Sequence, residues 1–136
     1  VQKLRNSLTD HLSERIDIME CDLGSGIDEC LMGCFDLVVS NPPYIPTEAL
    51  DAIPDEVSNH EPTLALDGGP DGLDIFRRIL TWCQSALKPG GAFAIELHET
   101  CLAQAAKEAA ESGFINVQIK EDLAQRPRIL IASKAQ

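Results

Sequence analysis

The tetrapeptide Asn41-Pro42-Pro43-Tyr44 has the residue types needed to grip a planar NH₂ group. Each proline fixes its own φ angle and removes a backbone N–H donor, so the chain there is stiff and its carbonyls lack local partners. The side chain of Asn41 adds a carbonyl acceptor and an NH₂ donor, and the ring of Tyr44 adds a flat face. The pattern predicts a site that orients a carboxamide or an exocyclic amine.

Methyl transfer is a reaction that such a site would serve. An amide nitrogen is a poor nucleophile because its lone pair is delocalised, so transfer depends on holding that nitrogen in line with the methyl donor. Hydrogen bonds accepted by Asn41 and by the Pro42 carbonyl would orient the NH₂ group and favour the positive charge that develops on nitrogen. The alternative is a purely structural Pro-Pro turn in which Asn41 is a local cap.

Alternating strand and helix patterns surround this tetrapeptide. Hydrophobic patterning predicts strands at Ile16–Cys21, Phe35–Ser40, Ala92–Leu97, Ile115–Lys120 and Arg128–Ala132, and helices at Val1–Leu12 and Gly72–Leu87. An Ala- and Glu-rich composition predicts a third helix at Glu99–Ser112. This order favours an α/β fold with a mostly parallel sheet and a C-terminal antiparallel hairpin at one edge. Ligands gather at the carboxyl ends of parallel strands, and Asp22-Leu23 and Asn41–Tyr44 follow two such ends.

Local signals refine this outline. The apolar run Phe35–Ser40 is typical of a buried parallel strand, and Ile27–Met32 favours one or two helical turns. The proline-rich stretch between Pro43 and Pro70 is too long for a routine connection and is expected to be either functional or disordered. Asp71 is a candidate cap for the helix that follows it.

Composition excludes several classes of protein. The 136 residues hold 11 basic and 22 acidic side chains, a formal charge of −11, which argues against a nucleic-acid-binding face. No apolar run approaches the length of a membrane span, and no signal peptide is recognisable. The five cysteines lack metal-ligand spacing and predict reduced core thiols in a soluble, cytoplasmic protein. The histidines, including His98, likewise lack metal-ligand spacing, and Trp82 is expected to pack.

At this point the sequence resembles a known family of methyltransferases. The run from Phe35 to Pro46 resembles motif IV of the amino-methyltransferases that use S-adenosylmethionine. Further matches are Glu61-Pro62, Ala65-Leu66, Gly68-Gly69, Asp71-Gly72-Leu73-Asp74, Leu87-Lys88-Pro89-Gly90-Gly91, Asp122-Leu123, Arg126 and Arg128. Together they resemble the protein-(glutamine-N5) methyltransferases that modify class 1 peptide chain release factors, the HemK/PrmC family, from Asn6 to Ser133.

The resemblance implies roles for individual residues. Asn41, Pro42, Pro43 and Tyr44 would bind the side-chain amide of the target glutamine, with Asn41 lying between cofactor and substrate. Asp22 and Leu23 occupy the position at which this family contacts the adenine end of S-adenosylmethionine. From the residues alone, a helix cap or turn remains an equal alternative for Asp22. Glu61, with Pro62, would shape the substrate loop.

The sequence departs from the family in one respect. The glycine-rich cofactor loop and the acidic residue that holds the ribose hydroxyls should both precede Asn6, and neither is present, while Gly24-Ser25-Gly26 follows the wrong strand. We therefore expect residues 1–136 to be a single domain, the C-terminal portion of the catalytic domain, with a partial class I Rossmann-like fold that lacks its first two strands. Such a piece would bind S-adenosylmethionine weakly or not at all, and its strand edges would favour self-association.

Two alternatives stay open. An adenine or guanine amine presents an NH₂ group similar to that of glutamine, so a DNA or RNA amino-methyltransferase is the nearest rival in chemistry. A non-catalytic remnant or binding module, which keeps the substrate loop without binding the cofactor, is the rival from a different class.

Overall fold

The chain folds around one mixed sheet, as described by a computed structural model of residues 15–52 and 62–136. The strands of that part are β1 (Phe35–Ser40), β2 (Leu87–Glu96), β3 (Phe114–Glu121) and β4 (Pro127–Lys134), and its α-helices are α1 (Asp74–Ala86) and α2 (Leu102–Glu111). Short 3₁₀ helices lie at Glu29–Leu31, Thr47–Ala52 and Thr63–Ala65. The predicted helix Val1–Leu12 lies outside the described residues.

The sheet has the strand order β1-β2-β4-β3. β1 and β2 are parallel, whereas β4 is antiparallel to both β2 and β3. The C-terminal hairpin at one edge is confirmed, and so is a mostly parallel sheet, because β1, β2 and β3 run in the same direction and only β4 opposes them. The reason lies in the connections, because a parallel pair needs a crossover such as α1, whereas the short turn from residue 122 to residue 126 can join only antiparallel strands.

The predicted strand Ile16–Cys21 is not a strand in the structure. Two of its apolar side chains are largely exposed, Ile16 at 41% and Met19 at 51%. Alternating polarity makes a strand only where a neighbouring strand completes its backbone hydrogen bonds and a face is buried. The alternation in this segment was therefore a misleading signal for the fold of the described residues.

The core lies between the two helices and one face of the sheet. β2 points Phe93 and Ile95 towards the helices, Leu97 directly after β2 is also buried, and the Phe93 ring meets Phe114 edge-on at 5.0 Å. The helices contribute a buried stripe made of Phe76, Ile79, Leu80, Cys83, Leu102, Ala105 and Ala109. The three- and four-residue spacing of Phe76, Ile79 and Leu80 is what predicted α1, whereas α2 was predicted from its Ala- and Glu-rich composition.

The opposite face of the sheet is more open. Leu37 and Val39 of β1 are 55% and 71% exposed, and they pair in register with Ala92 and Ala94 rather than with the inward-facing Phe93. The strand Phe35–Ser40 is confirmed, but its expected burial is not. Residues that alternate along a strand lie on opposite faces, and both described helices cover the other face.

Several element ends differ from the sequence-based prediction. α1 begins at Asp74 with Leu73 as its N-cap residue, so Asp71, which accepts a hydrogen bond from the Leu73 N–H at 3.1 Å, fixes the turn before the helix. The helix ends at Ala86, close to the predicted Leu87, and β2 begins directly at Leu87, five residues before the predicted strand start at Ala92. All five cysteines are free thiols, as predicted, but only Cys83 and Cys101 are buried. Burial raises the pKa of Cys83 to about 12.

Candidate functional site

The tetrapeptide after β1 forms the wall of an open cleft. The cleft has a volume of about 370 Å³ and is lined by Asn41, Pro42, Pro43, Tyr44, Ile45, Ala65 and Leu66. Asn41 is exposed and Pro42 is buried, so a rigid support lies directly behind an accessible amide. The structure thus brings the four predicted amide-binding residues together at the carboxyl end of a parallel strand.

Backbone hydrogen bonds hold the far side of the cleft. The Ile45 N–H donates to the Leu66 carbonyl at 3.0 Å, and the Gly68 N–H donates to the Ile45 carbonyl at 2.8 Å. The Thr47 N–H donates to the Gly69 carbonyl at 2.9 Å. The chain after Pro43 is therefore bound, like a short piece of sheet, to the segment from Leu66 to Gly69.

Two glycines allow this segment to lie against Tyr44. A Cβ atom at Gly68 would be 2.8 Å from the Tyr44 Cα, and one at Gly72 would collide with the Tyr44 carbonyl oxygen. Gly72 also has a φ of +78°, a conformation that other residues rarely adopt. These contacts explain why glycines stand at these two positions of the sequence.

Asp67 secures the same loop. Its Oδ1 accepts hydrogen bonds from the Thr47 hydroxyl at 2.8 Å and from the Gly69 N–H at 2.9 Å. The Gly69 N–H, followed by the Thr47 hydroxyl, holds the pKa of the Asp67 carboxyl below its usual value. Asp67 is therefore a charged anchor of the loop.

His98 is a site neighbour that sequence reasoning missed. Its ring lies 6.3 Å from the Tyr44 ring, centroid to centroid, at an angle of 36°. Its Nδ1 is 2.8 Å from the Thr100 hydroxyl and also accepts from the Thr100 N–H at 3.4 Å, which orients the imidazole. Its position two residues after β2 was the available signal, since β1 and β2 end at the same edge of the sheet.

Asp22 and Leu23 lie in a second, more open cavity of about 620 Å³. The Asp22 carboxylate pairs with Arg78, with 2.7 Å between Oδ2 and Nη2. Leu23 has a left-handed backbone with φ of 54°, and its side chain packs against the core. A smaller hollow is lined by both Leu23, which also lines the second cavity, and Ser40, which directly precedes Asn41. The second cavity therefore lies near the cleft on this side.

Trp82 of α1 forms part of the second cavity. It is half-buried, its ring lies 5.8 Å from Phe35, and a Cβ atom at Gly24 would collide with its indole. The expected packing role is confirmed, but sequence reasoning missed that the same indole lines a cavity beside Leu23. Its place on the helix between β1 and β2 gave no sign of this.

The second cavity suits one end of a nucleoside cofactor. The apolar surfaces of Leu23 and Trp82 can contact a purine, and Asp22 can accept from an amino group where it is not held by Arg78.

In the described ranges, 15–52 and 62–136, no cluster of His, Cys, Asp and Glu could hold a metal ion. Glu61, the remaining predicted site residue, lies outside these ranges. The helices within them are too short or too polar to cross a membrane.

The sequence is similar to curated methyltransferases, although no family model matches it. It is 42% identical over 125 residues to the release factor glutamine methyltransferase of Caulobacter vibrioides, covering 90% of this chain and 42% of that protein. It is 46% identical over 99 residues to the enzyme of the same name from Moorella thermoacetica, covering 71% and 34%. The chain therefore spans about two fifths or less of these relatives.

A solved structure has a similar fold. One chain of the E. cuniculi Mtq2–Trm112 complex, which is responsible for methylation of the translation termination factor eRF1, matches with a TM-score of 0.55 and 21% identity. The match covers 86% of this chain and 60% of that chain. The predicted α/β fold of the class I methyltransferases is confirmed for the part that the chain covers.

Proposed function

Over the segment that it covers, this chain belongs to the release factor glutamine methyltransferase family, and from that premise we propose that it holds the accepting amide for methyl transfer. The product would be an N5-methylated glutamine in a class 1 peptide chain release factor. The observation that carries this proposal is the cleft, because Asn41, Pro42, Pro43 and Tyr44 line it together and Asn41 is exposed.

The cleft residues would act by orientation rather than by taking a proton. The Asn41 side-chain carbonyl and the Pro42 backbone carbonyl would accept the two N–H bonds of the glutamine amide, and Tyr44 would pack against its plane. This arrangement leaves the nitrogen facing outward, and it stabilises the positive charge that develops as the N–C bond forms. The amide then loses one proton to solvent.

The methyl donor would be S-adenosylmethionine, whose sulfonium would supply the methyl group as its S–CH₃ bond breaks and would leave as the neutral thioether S-adenosylhomocysteine. Leu23 and Trp82 would contact its adenine, and Asp22 would accept from the adenine amino group. Asn41, one residue beyond the hollow that Leu23 and Ser40 share, would lie between the two cavities. The chain thus has residues for the adenine end, whereas the family's glycine-rich loop and ribose clamp are not in its sequence.

We further propose that residues 1–136 are the C-terminal portion of the catalytic domain and that the enzyme works in the cytoplasm on a protein. The charge of −11 favours a protein substrate over DNA or RNA, because a nucleic-acid enzyme needs a basic groove. All five thiols are free, which fits a reducing compartment.

The test compares possible substrates and then removes the side-chain amide of Asn41. A longer protein that contains this sequence should transfer radiolabelled methyl groups to a class 1 release factor and not to DNA or RNA. Asn41→Ala should lower kcat on the order of a hundredfold, because it removes a hydrogen bond that strengthens in the transition state. Gln118→Ala, which removes an exposed amide on β3, is the matched control and should leave kcat unchanged.

Three outcomes would contradict the proposal. Labelling of nucleic acid instead of release factor would favour the amino-methyltransferase rival. No labelling of either substrate by the longer protein would favour a non-catalytic binding module. A normal kcat for Asn41→Ala would reject the cleft as the amide site while leaving the activity itself intact.

A further inference from the structure

Arg77 of α1 stands at the centre of an ionic network behind the cleft. Its Nε and Nη2 donate to the two carboxylate oxygens of Glu108 at 2.9 and 2.8 Å. Its Nη1 and Nη2 donate to the two oxygens of Asp71 at 3.0 and 2.6 Å, and Nη1 also donates to Asp74 at 3.3 Å. The five N–H donors of the guanidinium are therefore matched by five acceptors, and two of the carboxylates are held in bidentate pairs.

The network joins three parts of the fold. Asp71 lies in the loop before α1, Arg77 lies within α1, and Glu108 lies in α2. The Glu108 side chain is only 18% exposed, so this pair is better shielded from solvent than an ordinary surface ion pair. Hydrogen bonds from Arg77 lower the pKa of both Asp71 and Glu108.

The loop before α1, which Arg77 holds through Asp71, packs against Tyr44. Gly72, the residue after Asp71, lies against the Tyr44 carbonyl, and Gly68 lies against the Tyr44 Cα. The Asp74 N–H donates to the Gly68 carbonyl at 2.8 Å, and the Cys101 thiol donates to the Asp71 carbonyl at 3.6 Å. A displacement of Asp71 would therefore move Gly72, the next residue, and with it the backbone that contacts Tyr44.

We infer that Arg77 is a positioning residue for the cleft, acting on Tyr44 through Asp71 and Gly72. Arg77 does not line the cleft, so it contributes no contact to a bound amide. A lysine at this position has three donors at one point and cannot make two bidentate pairs. The structural part of this inference stands without an activity; calling the cleft a substrate site rests on the proposed function.

The composition supplies a direct probe, because Tyr44 is the single tyrosine and Trp82 the single tryptophan of the chain. Replacing tyrosine by 3-fluorotyrosine gives a fluorine NMR signal from Tyr44 alone. The variants are Arg77→Gln, Arg77→Lys and the milder Asp71→Asn, which keeps the Arg77–Glu108 pair. The matched control is Arg126→Gln, which breaks the contacts of Arg126 with Asp122 at 3.0 and 3.1 Å in the β3–β4 turn.

We expect one Tyr44 resonance in the unsubstituted chain and in Arg126→Gln. Arg77→Gln should shift or split that resonance, Arg77→Lys should do so in the same direction, and Asp71→Asn should have a smaller effect. If Arg77→Gln fails to fold, Asp71→Asn decides the question. A Tyr44 signal that is unchanged in a folded variant, or multiple signals in the unsubstituted chain, would overturn the inference.

Enzyme kinetics separate this inference from the proposed function. In the longer protein, Arg77→Lys should lower kcat on the order of tenfold or more with little change in KM, since a misplaced amide binds but reacts slowly. A shifted Tyr44 signal without any methyltransferase activity in the parent would support the positioning role and reject the function. Equal losses of kcat in Arg77→Lys and Arg126→Gln would point to a general loss of stability and reject the positioning role.

Discussion

Different kinds of contact hold the cleft at Asn41–Tyr44, which we call the amide cleft after its proposed ligand, and the second cavity at Asp22 and Leu23. Around the amide cleft, three backbone hydrogen bonds join the Ile45–Thr47 segment to the Leu66–Gly69 segment, and Gly72 is packed against Tyr44. Around the second cavity, the turn bonds run within the turn itself, from the Ser25 N–H to the Asp22 carbonyl and from the Ile27 N–H to the Gly24 carbonyl. The amide cleft is thus built into the fold.

The second cavity is attached mainly through side chains. Asp22 and Arg78 form an ion pair in which both side chains are at least half exposed, and such pairs contribute about 0–1 kcal/mol. Leu23 and Trp82 add apolar contacts. The comparison teaches that this chain preorganises the proposed amide-binding cleft, whereas the proposed cofactor cavity depends on weaker contacts.

Cofactor titration tests the largest consequence of this difference. By isothermal calorimetry, we expect the 136-residue chain to bind S-adenosylmethionine at least about a hundredfold more weakly than the longer protein, a loss of about 3 kcal/mol. The reason is that the residues proposed for the adenine end are present while the family's glycine-rich loop is not in the sequence. Micromolar affinity in the 136-residue chain would break the comparison.

Glycine substitutions test the packing of the two regions. Gly72→Ala should lower the free energy of unfolding by about 2–5 kcal/mol, because a left-handed residue costs ~1–2 kcal/mol and the collision with Tyr44 adds ~1–3 kcal/mol. Gly26→Ala is the matched control beside the second cavity, with φ of 89° and open space at its Cβ. It should cost only about 1–2 kcal/mol.

Urea-induced unfolding of both variants gives the measurement. Equal losses would mean that the close approach of Gly72 to Tyr44 contributes nothing beyond its backbone conformation. A much larger loss for Gly26→Ala would reverse the comparison, since it would make the second cavity the better-built region.

The sequence predicted the cleft better than its surroundings. Asn41 and Tyr44 could be placed because a short apolar strand and two prolines restrict the backbone locally. His98 and Trp82 could not, since each meets its cavity through contacts made by distant segments. The misassigned strand Ile16–Cys21 has the same cause: a period of two describes side chains, while a strand also needs a partner.

Sheet direction shows the same limit. The crossover through α1 made the parallel β1–β2 pair predictable, and the short turn near Asp122 made the hairpin predictable. The pairing of β2 with β4 joins strands far apart in sequence, and no local pattern specifies it. The exposure of Leu37 and Val39 could not be predicted either, because the burial of a strand residue depends on which distant segments cover its face of the sheet.

A substitution at Gly24 probes how firmly the second cavity is packed. Gly24→Ser should displace the Trp82 indole, which a Cβ atom at this position would strike. We expect a red shift of tryptophan fluorescence and stronger quenching by iodide. The loss of stability should stay within about 1 kcal/mol, because the turn is largely at the surface.

The Gly26→Ala variant serves as the spectroscopic control here, since its Cβ meets nothing within 4 Å. Its tryptophan spectrum should match that of the unsubstituted chain. An unchanged spectrum in Gly24→Ser, or a loss of stability as large as that of Gly72→Ala, would show that the two regions are equally well packed.

The smallest expected effect is on how the free energy of unfolding depends on acid pH. The pKa values of Asp71 and Glu108 are lowered by Arg77, so their contribution to stability is complete above their unfolded values, near 4, and is lost as pH falls through the folded values. Unfolding free energy should therefore fall below about pH 4, and Arg77→Gln should flatten this dependence. Arg78→Gln, which breaks an exposed pair beside the second cavity, should leave the acid slope nearly unchanged. Urea unfolding measured at several pH values distinguishes the two variants. If the unfolding free energy of Arg77→Gln runs parallel to that of the unsubstituted chain as pH falls, the network around Arg77 contributes no more than a surface ion pair.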